Sequence, residues 1–93
     1  MRYVYRNINS PNSARLNGNG KIVQLMLTSV SETDSVINIS LVGESVEFFI
    51  LKNTILVSGT SLDVFDKEYN YDPSYQFVIK VISGSVDMLL TVN

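Results

Sequence analysis

The apolar residues of this chain recur at every second position, and turn residues break the pattern about every eight to twelve positions. Successive side chains of a strand point to opposite faces, so this period places one dry face against one wet face. In VINISLV, residues 36–42, Ile37, Ile39 and Leu41 oppose Asn38 and Ser40. YQFVIKVI, 75–82, aligns Tyr75, Phe77, Ile79 and Val81, and VDMLLTV, 86–92, aligns Val86, Met88, Leu90 and Val92. Alanine occurs once, at Ala14, while Val, Ile, Thr, Tyr and Phe fill the ordered segments, which favours pleated over helical backbone. The expected fold is all-β: a single antiparallel β-sandwich or jelly-roll-like domain of about eight short strands.

Other segments fit the same grammar. RYVYRNI, 2–8, reads as a first strand with Tyr3 and Tyr5 on one face and Val4 on the other. SPNSARLNGNG, 10–20, is rich in Ser, Asn, Gly and Pro and reads as a long loop, with Asn17-Gly18 and Asn19-Gly20 suited to positive φ angles. Residues 1–20 are accordingly expected to form a basic N-terminal strand or arm with its loop, and residues 21–93 the sandwich. KIVQLMLTSV, 21–30, sets Val23, Leu25 and Leu27 against Ile22 and Met26.

One stretch departs from alternation. EFFILKNTILVSGTSL, 47–62, is apolar on both faces around Lys52 and Asn53. A strand with two dry faces is covered on one side by its own core and on the other by something else. Another subunit is one candidate, and the N-terminal segment of the same chain is the other. The first is the expectation adopted here, with Phe48, Phe49, Leu51, Ile55, Leu56 and Val57 as interface residues.

Charge supports a surface that is partly covered. Charged residues are 17% of the chain, against roughly 25% in an average soluble domain. The charges are also unevenly spread. Arg2, Arg6, Arg15 and Lys21 are the only charged side chains before Glu32, whereas all nine carboxylates, against three lysines, lie from Glu32 onward. A basic head on an acidic body suits docking onto a second copy, so Arg2, Arg6 and Arg15 join the expected interface. Four basic residues without a dense run are a weak footprint for nucleic acid, and none is expected as a partner.

Composition also removes much chemistry. The chain has no histidine and no cysteine. The commonest general base, the commonest metal ligand and the thiolate nucleophile are therefore missing. Ser and Thr nucleophiles need a base beside them, and Lys52 and Lys80 fall on expected strand exteriors. Gly18-Asn19-Gly20 leads into a strand and lacks a downstream GxxG, so it is no phosphate loop. No catalytic residue and no cofactor are expected. Arg2 and Arg6 interrupt any apolar leader, and no apolar run reaches the roughly 18 residues of a membrane span, so no membrane partner is expected either.

Asp66, Glu68, Asn70 and Asp72 alternate as oxygen ligands do in the first half of a calcium loop. Position six of such a loop would then be Tyr71 rather than Gly, and position twelve Phe77 rather than Glu, so a solvated loop is expected and no metal site is assigned. Tyr69 and Tyr71, with Tyr75 nearby, make the same loop a candidate for stacking on a sugar or inserting into a partner.

The block SVINISLVGESVEFFILKNTILVSGTSLDVFD, 35–66, with YQFVIKVISGSVDMLL after it, resembles small virion structural proteins of tailed bacteriophages. These read as a Ser/Asn-rich strand, an aromatic strand ending in ILKN, a segment ending in Gly-x-Ser-Leu, and an apolar strand with Gly-Ser near the end of the chain. The likeness covers about residues 21–93, and Val57 stands where the family usually has proline. It implies a β-sandwich that assembles in multiple copies on a capsid, neck or tail, and it carries over no catalytic residue. A capsid decoration or cement protein is the leading expectation. It would associate with itself and with the major capsid or other virion proteins, located in the virion after synthesis in the bacterial host cytoplasm. A carbohydrate- or receptor-binding module and a neck or tail adaptor are the alternatives.

Overall fold

A computed structural model describes residues 1–17 and 20–93, and the expected turns at Gly18 and Asn19 lie outside the described residues. Among the described residues there are nine strands and no helix. They are β1 (Arg2–Asn9), β2 (Ser13–Asn17), β3 (Lys21–Ser29), β4 (Ser35–Val42), β5 (Glu47–Leu56), β6 (Ser61–Asp63), β7 (Tyr69–Asn70), β8 (Gln76–Ser83) and β9 (Ser85–Val92). One sheet runs β1-β9-β3-β6, with β7 also paired to β3, and the other runs β2-β8-β4-β5. Every pairing is antiparallel. The two sheets pack face to face as a β-sandwich whose thinnest dimension is 19 Å, as two layers about 10 Å apart with side chains on both outer faces require.

The alternating positions make the core. Ile37 and Ile39 on β4, Phe77, Ile79 and Val81 on β8, and Val86, Met88, Leu90 and Val92 on β9 are all buried between the sheets. On β3 the pattern changes phase. Ile22 pairs with Val92 but Gln24 with Thr91, so Val23 is an extra residue in a β-bulge. The bulge turns Ile22 onto the same dry face as Leu25 and Leu27, where all three are fully buried. That corrects the opposition of Ile22 to Leu25 expected from simple alternation.

The N-terminal residues are not an arm reaching elsewhere. β1 pairs with β9 over its full length, from Arg2↔Val92 to Asn9↔Ser85. Part of the expected loop at 10–20 is also a strand, since β2 pairs with β8 from Ser13↔Lys80 to Asn17↔Gln76. The reason lies in five residues: Ala14 and Leu16 are buried while Ser13, Arg15 and Asn17 are exposed. That period of two was hidden by loop-like composition on either side. β1 and β2 thus form the edge strands of the two sheets and face each other across one open side of the sandwich.

At the end opposite this N-terminal pair of edges, β5 is a single strand where a break was expected at Asn53. Two bulges interrupt it. Residues 52 and 53 together oppose Asn38, and Ile50 is extra between Leu51 and Phe49. Asn53 takes φ 48°, a left-handed conformation that Asn tolerates better than most residues, and its amide donates to Asn38 Oδ1 at 2.7 Å.

Candidate functional site

The doubly apolar ribbon is sorted by these bulges. Leu41↔Phe48, Ile39↔Leu51 and Ser35↔Leu56 put Phe48, Leu51 and Leu56 on the inward side, while Ser40↔Phe49 and Val36↔Ile55 put Phe49 and Ile55 outward. Only Leu56 is well buried; Leu51 is half-buried. Phe48 is 55% exposed, Ile55 64% and Val57 54%, with Phe49 covered in part by Lys52, whose Nζ lies 4.9 Å from the ring centroid. β5 is the last strand of its sheet, and the N-terminal strand of that sheet, β2, sits at the opposite edge. The chain's own N-terminal segment therefore does not roof this face, which removes one of the two explanations for its composition.

Beside Phe48, the turn joining β4 to β5 adds to the exposed apolar surface. Gly43 N–H donates to Val46 O at 2.8 Å and closes the turn. Tyr75 belongs here and not with the 66–72 loop: its ring lies 6.0 Å from that of Phe48, centroid to centroid. A Cβ at Gly43 would stand 3.0 Å from Tyr75 Cε2 and 3.3 Å from Val46 Cγ2, so a side chain there would crowd the tip. Val46, Phe48 and Tyr75 thus form an apolar knob, with the carboxylates of Glu44 and Glu47 flanking Val46 in sequence. Glu47 is held in place by Ser40, whose hydroxyl donates to Glu47 Oε2 at 2.7 Å.

The three arginines collect on the other side of the molecule. Between β1 and β2 opens a slot of about 110 Å³ with Val4, Leu16, Phe77, Ile79, Met88 and Leu90 in its walls. Arg2, Arg6 and Arg15 line the same slot. Arg2 and Arg6 share a face of β1 with Val4 and Ile8, the face that looks toward the other sheet. Arg15 donates from Nη1 to Gln76 Oε1 at 2.9 Å. Among the described residues none of the three has a carboxylate within ion-pair distance.

The 66–72 loop is less open than its composition suggests. Tyr69 stacks on Phe65 at 4.4 Å between ring centroids, and Tyr71 lies 5.7 Å from Phe77, so both rings cap the end of the core instead of standing in solvent. They are not available as an exposed stacking platform. Glu68 pairs with Lys21 at 3.1 Å, and β7 ties Tyr69 and Asn70 to β3. Asp72 accepts from the Ser74 amide at 2.9 Å and from its hydroxyl at 2.8 Å, and these bonds, the amide first, hold its pKa below the ordinary aspartate value. Asp66 stands apart from these contacts, and among the described residues no three acidic side chains converge as metal ligands.

Tyr71 has a buried hydroxyl with no hydrogen-bond partner of good geometry among the described residues. Burial raises its pKa, and the backbone of Gly20 offsets only part of the rise. The folded state holds this proton more tightly than the unfolded chain does, so stability is insensitive to the group below the unfolded pKa of about 10 and falls as pH rises above it. Tyr71→Phe is therefore expected to be neutral or stabilising by about 1 kcal/mol at pH 7 and to flatten the loss of stability above pH ~10, measured by urea unfolding.

Two exposed features were not singled out from the sequence. Val46 sits in a turn, where apolar residues carry no periodic signal. Tyr3 and Tyr5 were placed correctly on one face of β1, but that face proves to be open, beside the partly exposed Leu89 opposite Tyr5. Comparison of the chain with protein-family models, curated proteins and solved structures finds no match in any of the three.

Proposed function

We propose that this protein is a structural component of a bacteriophage virion, a capsid decoration or cement protein that self-associates and binds the major capsid protein through apolar strand surfaces. The observation that carries the reading is the β5 edge, where Phe48, Phe49, Ile55 and Val57 remain largely exposed in the single chain. Clustered exposed apolar residues on so small a domain mark an interaction surface. Low charge and the likeness of residues 21–93 to small virion proteins support the same reading. In it, Phe49 and Ile55 on the outward face dock onto the capsid, and the Phe48 end meets a neighbouring copy. A neck or tail adaptor would use the same surfaces, and cryo-EM of the parent particle separates the two locations.

Light scattering after size exclusion tests the self-association. The expected mass exceeds the 10.4 kDa of one chain and grows with concentration. Capsid affinity, read by co-sedimentation, is expected to fall about ten- to hundredfold for Phe49→Ser/Ile55→Ser, because the exposed parts of the two side chains amount to about one apolar side chain, roughly 1.5–3 kcal/mol on burial. A protein that stays monomeric at the highest concentration and does not sediment with capsids overturns the proposal. A glycan-binding role has weaker support, since Tyr69 and Tyr71 are packed inside; its remaining basis is the exposed pair Tyr3 and Tyr5, and loss of glycan-array signal in Tyr5→Ala would favour it.

A further inference from the structure

We infer that copies of this chain join head to tail, the β4–β5 tip of one seating in the arginine-rimmed slot between β1 and β2 of the next. The inference rests on the self-association proposed above and adds which two surfaces meet.

Size selects the occupant first. A slot of about 110 Å³ is of the order of the roughly 150 Å³ cavity that holds a benzene ring, and well below the roughly 300–1,000 Å³ of a small-molecule site. It takes one side chain, not a cofactor. Its walls are apolar, so that side chain is apolar, and its rim carries three guanidinium groups without carboxylate partners, so the groups flanking it are anionic. The hairpin tip has this composition: Val46 and Phe48 are exposed and Glu44 lies in the turn beside them, while Glu47 turns to the outer face of the sheet.

Position then makes the contact intermolecular. β2 and β5 are the two outer strands of one sheet with β8 and β4 between them, so three strand spacings, about 14 Å, separate slot strand from tip strand within one molecule. The apolar tip residues cannot reach their own slot, although Glu47 shares a groove on the outer face of the sheet with Arg15 of the same chain. Two different patches on opposite edges make a heterologous contact, which closes into a ring or continues as an open chain. Inward charges on an edge strand also discourage strand-to-strand pairing. That role alone would not leave an apolar cavity beneath the arginines.

Two variants test the contact, both confined to exposed side chains, with circular dichroism and thermal melting confirming the fold. The tip variant is Val46→Ser/Phe48→Ser, and the slot variant is Arg2→Glu/Arg6→Glu. Each alone is expected to associate at least tenfold more weakly than wild type. Mixed in equal amounts they are expected to form a two-chain species and nothing larger, because the mixture offers one intact tip and one intact slot per pair. Wild-type association is also expected to weaken with added salt, as partly exposed charge pairs do. If wild type associates but the slot variant associates equally well, or the mixture stays monomeric, the head-to-tail contact is overturned and self-association stands. If wild type is itself monomeric, both fall.

Discussion

Phe77→Ala is expected to cost about 3–5 kcal/mol, the largest loss of any single truncation in this molecule. Phe77 is fully buried on the second strand of its sheet and is ringed by Phe65, Tyr69 and Tyr71, with centroids 6.1, 6.4 and 5.7 Å away. Removing the ring leaves a cavity that these three cannot fill together, since Tyr69 is committed to Phe65 and to the β7 pairing. A domain of this size has only about 5–15 kcal/mol in hand. Urea denaturation followed by tyrosine fluorescence should show the midpoint collapsing, or no folded baseline at all. Phe77 also lines the slot, so a milder change such as Phe77→Leu is expected to keep the fold and weaken self-association.

The second large effect is expected at Gly84, in the tight turn between β8 and β9. Its φ is +87°, and a Cβ there would stand 2.4 Å from Ser35 Oγ and 2.9 Å from Ser35 Cα. Ser35 cannot simply step aside. It is fully buried, its hydroxyl is 2.9 Å from that of Ser29, and it both donates to Ser85 O and accepts from Ser85 N–H at 3.2 Å. Gly84→Ala therefore adds a steric conflict with backbone to the cost of positive φ, about 2–5 kcal/mol in total. Gly59 supplies the control. Its φ is +78° but no atom lies within 4 Å of its Cβ position, so Gly59→Ala is expected to cost only about 1–2 kcal/mol. Equal losses at the two sites, by thermal or urea unfolding, would show that the Ser35 contact does not matter.

The contrast between strands explains what could be read from residues alone. β4 and β9 alternate without interruption, and β8 does so as far as Val81, beyond which Ile82 is an extra residue; their dry faces were assigned residue by residue. β3 and β5 contain bulges, and one inserted residue reverses every assignment on one side of it, so Ile22 was placed on the wrong face and the two faces of 48–57 could not be told apart. β2 is only five residues long inside a Ser/Asn/Gly-rich setting, too short for its two buried residues to stand out. The apolar ribbon and the group of arginines were both legible in the sequence. Their separation onto opposite edges was not, because strand order depends on which distant segments pair. Tyr69 and Tyr71 looked like loop aromatics because their neighbours are acidic, and only the fold shows that the end of a small core needed a lid.

The same bulges that blurred the reading of β5 also limit what its bare edge can do. A growing fibril needs an uninterrupted rail of free amides and carbonyls along which identical strands stack. Here the rail is broken at Ile50 and again at Asn53, whose amide is already engaged by Asn38. The edge is therefore poor ground for a backbone ladder, and a partner of the kind proposed would hold it by side chains.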